Sequence, residues 1–281
     1  MDLIRASLTD SAMNFAAKAI PMTRVGLADA LNRLGLESAQ AAALWTVFEV
    51  ETGGITQGFG FRADRRPQIL FERHKFREFT DGKFNRSDPA LSGPQGGYGG
   101  LVTQYSKLER ALVLCTQHQL SPEPALRAVS WGIGQVMGFN HVVAGFQSAQ
   151  KMVEAMVQSE DNQLLATVNF LNANDLSRHL HTQDWARFAL GYNGRSYAQN
   201  QYDIKLEQAY ARFSSGTMPD LELRTAQAAL LLLGFGPGKI DGVLGNRTRN
   251  ALKAFQTGNN LPVTGELDAP AYSKLFTTAF G

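Results

Sequence analysis

The stretch QAAALWTVFEVETGG, residues 40–54, decides the fold class. It is almost wholly apolar up to Phe48, then carries two glutamates two positions apart and stops at a glycine pair. As a helix turning about 100° per residue, it places Leu44, Val47, Phe48 and Glu51 on one face. Glu49 falls off that stripe, in solvent or beside a basic neighbour. Glu51 continues the core line, and Gly53–Gly54 end the helix behind it. A carboxyl group at the end of a buried stripe, on the rim of a glycine-rich loop, resists ionisation because burial penalises the charged form. A general acid needs that state near neutral pH. The plainer alternative is a frayed helix end whose charge meets Arg62, Arg65 or Arg66.

Outward from this helix, the 3.6-residue period dominates the 281-residue chain and sustained strand alternation is scarce, so the fold class is mainly α. A turn-rich stretch, ARFSSGTMPDLELR, divides the chain into residues 1–213, a linker at 214–219 and a small unit at 220–281. Three long loop-like segments interrupt the larger part: GGITQGFGFRADRRPQ, SDPALSGPQGGYGG and QVMGFNHVVAGF. Loops of that length inside a domain are usually functional.

In the small unit, Leu223, Ala226, Gln227 and Leu230 share helical spacing, and Gly234 stops that helix. Two similar turns follow, IDGVLGNRT at 240–248 and VTGELDAPA at 263–271. Gly242 and Gly265 are suited to positive φ, and Asp268 followed by Pro270 reads as a helix start. Three short helices result.

Net charge is only +2, so no strong field points to nucleic acid, while the mildly basic balance suits an anionic surface. Cys115 is the sole cysteine, which rules out an intramolecular disulfide. MDLIRASLTDSAMNFAAK lacks the unbroken apolar core of a signal peptide, and the longest apolar run, AALLLLGF, is too short to span a bilayer. Synthesis in the cytoplasm is expected, without membrane insertion; action beyond the inner membrane needs another agent to open the way. No cofactor is expected, and a monomer is the default.

Other motifs carry less. GGYGG at 96–100 has no following Lys-Ser/Thr pair and no preceding strand, which argues against a phosphate loop. In RHLHTQD, His179 and His181 diverge by about 200° on a helix, so they and Asp184 do not converge on one metal. Glu72, in FERH beside His74, is either a site residue or a structural partner of His74, Arg73 or Arg66. SWGIGQVMG at 130–138, with Gly132, Gly134 and Gly138, either brings backbone close to a ligand or lets packed helices touch.

Taken in order, a Glu-Thr at a helix end, Ser-x-Gly-x-x-Gln within SWGIGQVMG and Tyr-Asn-Gly within ALGYNG resemble the motifs of goose-type lysozymes and soluble lytic transglycosylases. EVETGG, RRPQILFERHKF, GGYGGLVTQYSKLERA, SWGIGQVMGFN and GYNGRSYAQNQYDIKLEQAYARF are more closely similar to the N-acetylmuramidase domain of modular phage endolysins, over about residues 10–213. IDGVLGNRTRNALKAFQ and LPVTGELD resemble the three-helix peptidoglycan-binding module of wall hydrolases. Thr52 stands where relatives more usually carry serine, and the module is C-terminal where many have it N-terminal.

The resemblance implies a lysozyme-like helical catalytic domain in which Glu51 protonates the bond between N-acetylmuramic acid and N-acetylglucosamine. Glu72, or less well Asp64 or Glu49, would activate water if the enzyme inverts. It further implies that Thr52, Ser130, Gln135, Tyr192 and Asn193 line the cleft, with Tyr98 covering bound glycan from a flexible hairpin. In the module, Asp241, Gly242, Arg247 and Thr248, with Asn250, would meet stem-peptide carboxylates. The partner that the resemblance implies is bacterial peptidoglycan, to be reached in the periplasm after membrane permeabilisation during host lysis. A lytic transglycosylase, a non-catalytic wall-binding protein and an antibacterial effector are the alternatives.

Overall fold

The computed structural model describes residues 13–53, 58–216 and 218–281. Gly54 of the glycine pair, Thr217 of the 214–219 stretch and most of the N-terminal segment lie outside the described residues. Among the described residues the larger part forms α1 (Arg24–Leu34), α2 (Ala41–Thr52), α3 (Arg73–Phe79), α4 (Gln104–Gln117), α5 (Glu123–Arg127), α6 (Ala149–Met156), α7 (Glu160–Ala173), α8 (Ser177–Thr182), α9 (Trp185–Asn193) and α10 (Tyr202–Ser215). The smaller part forms α11 (Leu221–Leu232), α12 (Asn246–Gly258) and α13 (Ala269–Phe280). Side-chain oxygens of Thr23, Ser148, Ser159, Asp184, Asp220 and Asp268 accept from the first free N–H groups of α1, α6, α7, α9, α11 and α13, which fixes where each helix begins. Asp268 caps α13 with Pro270 in its first turn, as its sequence indicates.

Helix α2 is buried from Ala41 through Phe48 around its whole circumference, not along one stripe. A helix apolar on all sides must sit inside, and only at Glu49 does it begin to meet solvent. It packs with α1, α7, α8, α9 and α10 in one hydrophobic core. A second core gathers α3–α6 around a small antiparallel sheet. Helix α7 faces both, Leu164, Val168 and Leu171 on one side and Ala166 on the other.

A small sheet accompanies the helices of this mainly α fold. Its strands are β1 (Ile69–Phe71), β2 (Val129–Trp131) and β3 (Val136–Met137), in that order. Ile69 pairs with Trp131, Phe71 with Val129, and Trp131 with Val136. SWGIGQVMG is thus a β-hairpin, and each strand is too short to show a period of two.

The hairpin's glycines make room for protein. A Cβ on Gly132 would lie 2.7 Å from the Gln163 side chain, one on Gly134 2.2 Å from Thr167 Oγ1, and one on Gly138 2.1 Å from the Leu126 carbonyl oxygen. Close packing, and not close approach of a ligand, accounts for them.

In the small unit each of the two similar turns is braced by a buried glutamine. Gln227 accepts from the Gly242 N–H (2.8 Å) and donates to Val243 O (3.0 Å). Gln256 accepts from the N–H groups of Thr264 (3.1 Å) and Gly265 (2.9 Å) and donates to Glu266 O (3.0 Å). Gly242 and Gly265 have φ of +71° and +74°, the left-handed conformation their sequence context requires.

The two parts share a core. Ala19, Phe59 and Phe61 of the larger part pack with Ala226, Leu230, Ile240, Phe255 and Leu275 of the smaller. Arg224 of α11 and Glu160 of α7 form an ion pair in which neither side chain is exposed, at 2.6 and 2.7 Å. Arg65 adds a bond from Nη2 to Ala279 O at the end of α13 (2.8 Å). The smaller part is therefore seated on the larger.

Gly138→Ala is expected to destabilise the protein by about 1–3 kcal/mol, because the added methyl meets a backbone carbonyl that no rotamer change can move aside. Chemical denaturation checks this; unaltered stability would show that the hairpin and the end of α5 pack loosely.

Candidate active site

Glu51 lies in the last turn of α2, half-buried, and receives a short hydrogen bond from the Tyr202 hydroxyl to its Oε1. Tyr202 opens α10, where Tyr202, Leu206 and Ala209 form the buried face that packs on α2. Burial pushes the Glu51 carboxyl up from 4.5 to about 7, and the Tyr202 hydrogen bond offsets part of that rise. Burial and the neighbouring Glu51 charge in turn hold the Tyr192 and Tyr202 phenols well above their ordinary range. Both tyrosines keep their protons as hydrogen-bond donors.

Tyr192, on α9, stacks on Phe188 (5.2 Å between ring centres, 15° between planes) and meets Phe170 edge-on at 5.5 Å. Its hydroxyl donates to Gly134 O in the hairpin. Asn193, next along, is exposed at the end of α9. The arginines that could have neutralised Glu51 go elsewhere: Arg62 to Leu101 O, Arg65 to Lys18 O and Ala279 O, and Arg66 to Asp64 and Glu109.

Several residues expected to touch substrate are occupied within the protein. Thr52 is buried; its hydroxyl donates to Phe48 O (2.6 Å) and accepts from the Gly58 N–H (2.6 Å), so it pins chain and does not face a sugar. Ser130 is buried on β2 and donates to Gln135 Oε1 (2.7 Å). The Gln135 Nε2 donates to Gly132 O (2.8 Å) and Gln68 O (3.2 Å), leaving this amide to close the hairpin at its own φ of +45°. These polar groups were visible in the motif; their internal partners were not.

The second-carboxylate candidates differ sharply. Burial raises Asp64, but hydrogen bonds from Arg66 and the charges of Arg62 and Arg66 outweigh it and hold its carboxyl below the usual range. Arg66 contacts it at 2.7 Å and also covers the Tyr105 ring at 4.0 Å, so Asp64 anchors a loop and is a poor base. Glu72 is largely buried at the start of α3, and burial raises its pKa against the opposing charge of His74 and a hydrogen bond from Tyr98. His74 Nδ1 lies 3.0 Å from it. Glu49 points away from Glu51's side and pairs with Arg212.

Tyr98 is not on a loose flap. Its carbonyl accepts from Gln104 Nε2 (2.7 Å) and Lys107 Nζ (2.5 Å), and Lys107 also holds Gly97 O (2.8 Å). The GGYGG segment is tied to α4 with the phenol set against Glu72. His181 meets Leu34 O (2.9 Å), Asp184 caps α9, and His179 is buried beside Arg178. The three do not converge.

In the smaller part, Asp241 accepts from Val243 N and Gln227, Gly242 is buried against Asp220, and buried Thr248 donates to Pro237 O. These three build the turn. Arg247 and Asn250 are exposed on α12 and stay available to a ligand.

Tyr202, Glu160 and Arg224 were missed by sequence reasoning. Tyr202 heads a helical stripe with Leu206 and Ala209 that could have flagged it. Arg224 falls on the buried line of α11, one position after the Leu223 assigned there, and a charge on an apolar face is the signal that was available.

A family model described as N-acetylmuramidase matches residues 40–214, well over half of the chain. A second, described as a peptidoglycan binding domain, matches residues 220–275. Among solved structures, the crystal structure of the Burkholderia AP3 phage endolysin is similar, with 39% identity over 69% of this chain and 70% of that one and a TM-score of 0.57. No curated protein matches.

A carboxyl whose folded pKa lies above its unfolded value stabilises the fold below about pH 4.5, and that contribution is lost as pH rises through about 7. Glu51→Gln is therefore expected to gain roughly 3 kcal/mol relative to wild type between pH 4.5 and pH 8. Denaturant titrations of both proteins at the two pH values measure it; a difference independent of pH would mean an ordinary, solvated carboxyl.

Proposed function

Because this chain belongs to the N-acetylmuramidase family and carries a peptidoglycan-binding domain, we propose that it hydrolyses the β-1,4 bond between N-acetylmuramic acid and N-acetylglucosamine, with Glu51 as general acid. The observation that carries this reading is the Glu51 carboxyl, raised to about 7 by burial at the end of α2 and held by the Tyr202 hydroxyl. At neutral pH a large fraction of it is protonated, which suits transfer of the proton to a leaving glycosidic oxygen. Tyr202 fixes the direction of the group, and Tyr192, whose phenol is held up by burial and the Glu51 charge, ties α9 to the hairpin through Gly134. Asn193, Arg247 and Asn250 are the exposed groups of the expected glycan and stem-peptide contacts.

Protonation of the leaving oxygen leaves an oxocarbenium-like sugar that a water must capture. Glu72 is the better candidate to activate that water, since Asp64 is committed to two arginines. Glu72 itself is covered by Tyr98 and His74. That cover favours a second reading, lytic transglycosylation, in which the sugar's own 6-hydroxyl closes a 1,6-anhydro ring and no water is activated.

The similarity to a phage endolysin supports host lysis as the setting, with residues 1–213 cutting glycan strands, 214–219 connecting and 220–281 holding the wall. Among the described residues no helix is long and apolar enough to cross a membrane.

On permeabilised Gram-negative cells Glu51→Gln is expected to lose about 10²–10⁴-fold in lytic rate, since the amide keeps the shape but donates no acidic proton; near-normal lysis would reject the assignment. Mass spectrometry of the products separates the chemistries, reducing ends that have gained water for the hydrolase and anhydro ends for its rival. Activity should fall as pH rises through about 7. Tyr202→Phe should move that fall to higher pH, because the lost hydrogen bond favoured the ionised carboxylate; a shift to lower pH would contradict the assigned role of Tyr202.

A further inference from the structure

Arg224 belongs to α11 of the peptidoglycan-binding part, yet the hydrogen-bond partners of its side chain, Glu160 and Gly58, lie in the other part. Its guanidinium is wholly buried and donates to both oxygens of Glu160 and to Gly58 O. It also lies 5.4 Å from the ring centre of Trp45, on α2, and 5.7 Å from that of Phe59. Gly58 is thereby held from both sides of its residue, its carbonyl by Arg224 and its N–H by Thr52 at 2.6 Å. Thr52 is the residue after Glu51 and is itself bonded back to Phe48 O.

A contiguous chain of hydrogen bonds thus runs from the wall-binding part to the end of α2: Arg224 to Gly58, Gly58 to Thr52, Thr52 to Phe48. Surface contacts would suffice to hold two units together, and an ion pair out of solvent carries a large desolvation penalty. The guanidinium's planar fork, by contrast, can satisfy a carboxylate and a carbonyl at once in fixed directions. Lysine has a single ammonium and no such fork.

We propose that Arg224 is a positioning residue for Glu51, and that the peptidoglycan-binding part is a structural component of the catalytic framework as well as an anchor. By fixing Gly58 against Thr52, it sets the last turn of α2 and the burial of the group carried there. The inference rests on the reading of Glu51 as the acid. It requires that loss of the Gly58 contact alter turnover even on substrates too small to need anchoring.

The test uses full-length protein and soluble glycan strands freed of stem peptides, with sedimentation on intact sacculi as a separate measure of wall binding. Arg224→Lys keeps the charge opposite Glu160 but loses the second arm to Gly58. It is expected to bind sacculi as wild type does and to lower kcat about tenfold, with KM within about threefold. The alkaline limb of its pH–rate profile should move to lower pH, as water reaches Glu51. Arg224→Met with Glu160→Gln removes both charges, so no carboxylate is left buried and unpaired; it should show the same loss in kcat and the same displaced limb. Wild-type kcat and pH profile in Arg224→Lys would overturn the proposal, as would recovery of both in the double variant. Glu51→Gln run alongside separates the two ideas. If it remains active the acid assignment falls, whereas an inactive Glu51→Gln beside an unaffected Arg224→Lys removes only the positioning role.

Discussion

The buried carboxylate of Glu160 is the fixed point of the molecule. It accepts from Met22 N (2.7 Å), Gly60 N (2.8 Å) and both arms of Arg224, which joins the segment before α1, the chain after α2 and the first helix of the wall-binding part. A charge withdrawn from water is tolerated only when its oxygens are fully satisfied, and removing a charged partner from such a pair typically costs 3–5 kcal/mol. The three segments lie far apart in sequence, and beside this carboxylate they also share the core of Ala19, Phe59, Phe61, Ala226 and Leu230. Once they do, the start of α7, the course of the chain from Gly58 to Gly60 and the seat of α11 are all set.

From that frame the chemistry of α2 follows. A helix apolar all round can go only to the interior, and it takes with it whatever its last turn carries. Glu51 arrives where water is scarce and α10 and α9 each supply a tyrosine. Desolvation and the Tyr202 hydrogen bond act in opposite directions, and their balance leaves the carboxyl near neutrality. Neither effect alone would leave it there. Without burial the group would be an ordinary anion, and without the phenol its proton would be held more tightly and in no particular direction.

Much of this was legible in the residues. The apolar run ending in Glu51 gave the helix, the pairing of Glu49 with a basic neighbour and the direction of the pKa shift. The two turns of the small unit, their glycines and the Asp268 cap could be read directly, because turn and cap chemistry is local. What was not legible is where polar side chains spend their hydrogen bonds. Thr52, Ser130 and Gln135 look like site residues in a motif, and the fold uses them to tie backbone. Asp64 looked like a spare acid until two arginines close in sequence folded onto it. The sheet was missed because its strands are two or three residues long. Arg224 and Glu160 were missed because their partnership spans 64 residues and only the tertiary fold brings them together.

The braced turns of the small unit have an evolutionary consequence. Gln227 and Gln256 hold their loops from inside, through backbone atoms, so the frame is indifferent to the side chains displayed outward at Val243, Asn246 and Arg247. Such a scaffold can exchange its outer residues as bacterial walls diversify while its inner amides stay constant. Recognition can drift without dragging stability along, much as a socket keeps its thread while the tool fitted to it changes.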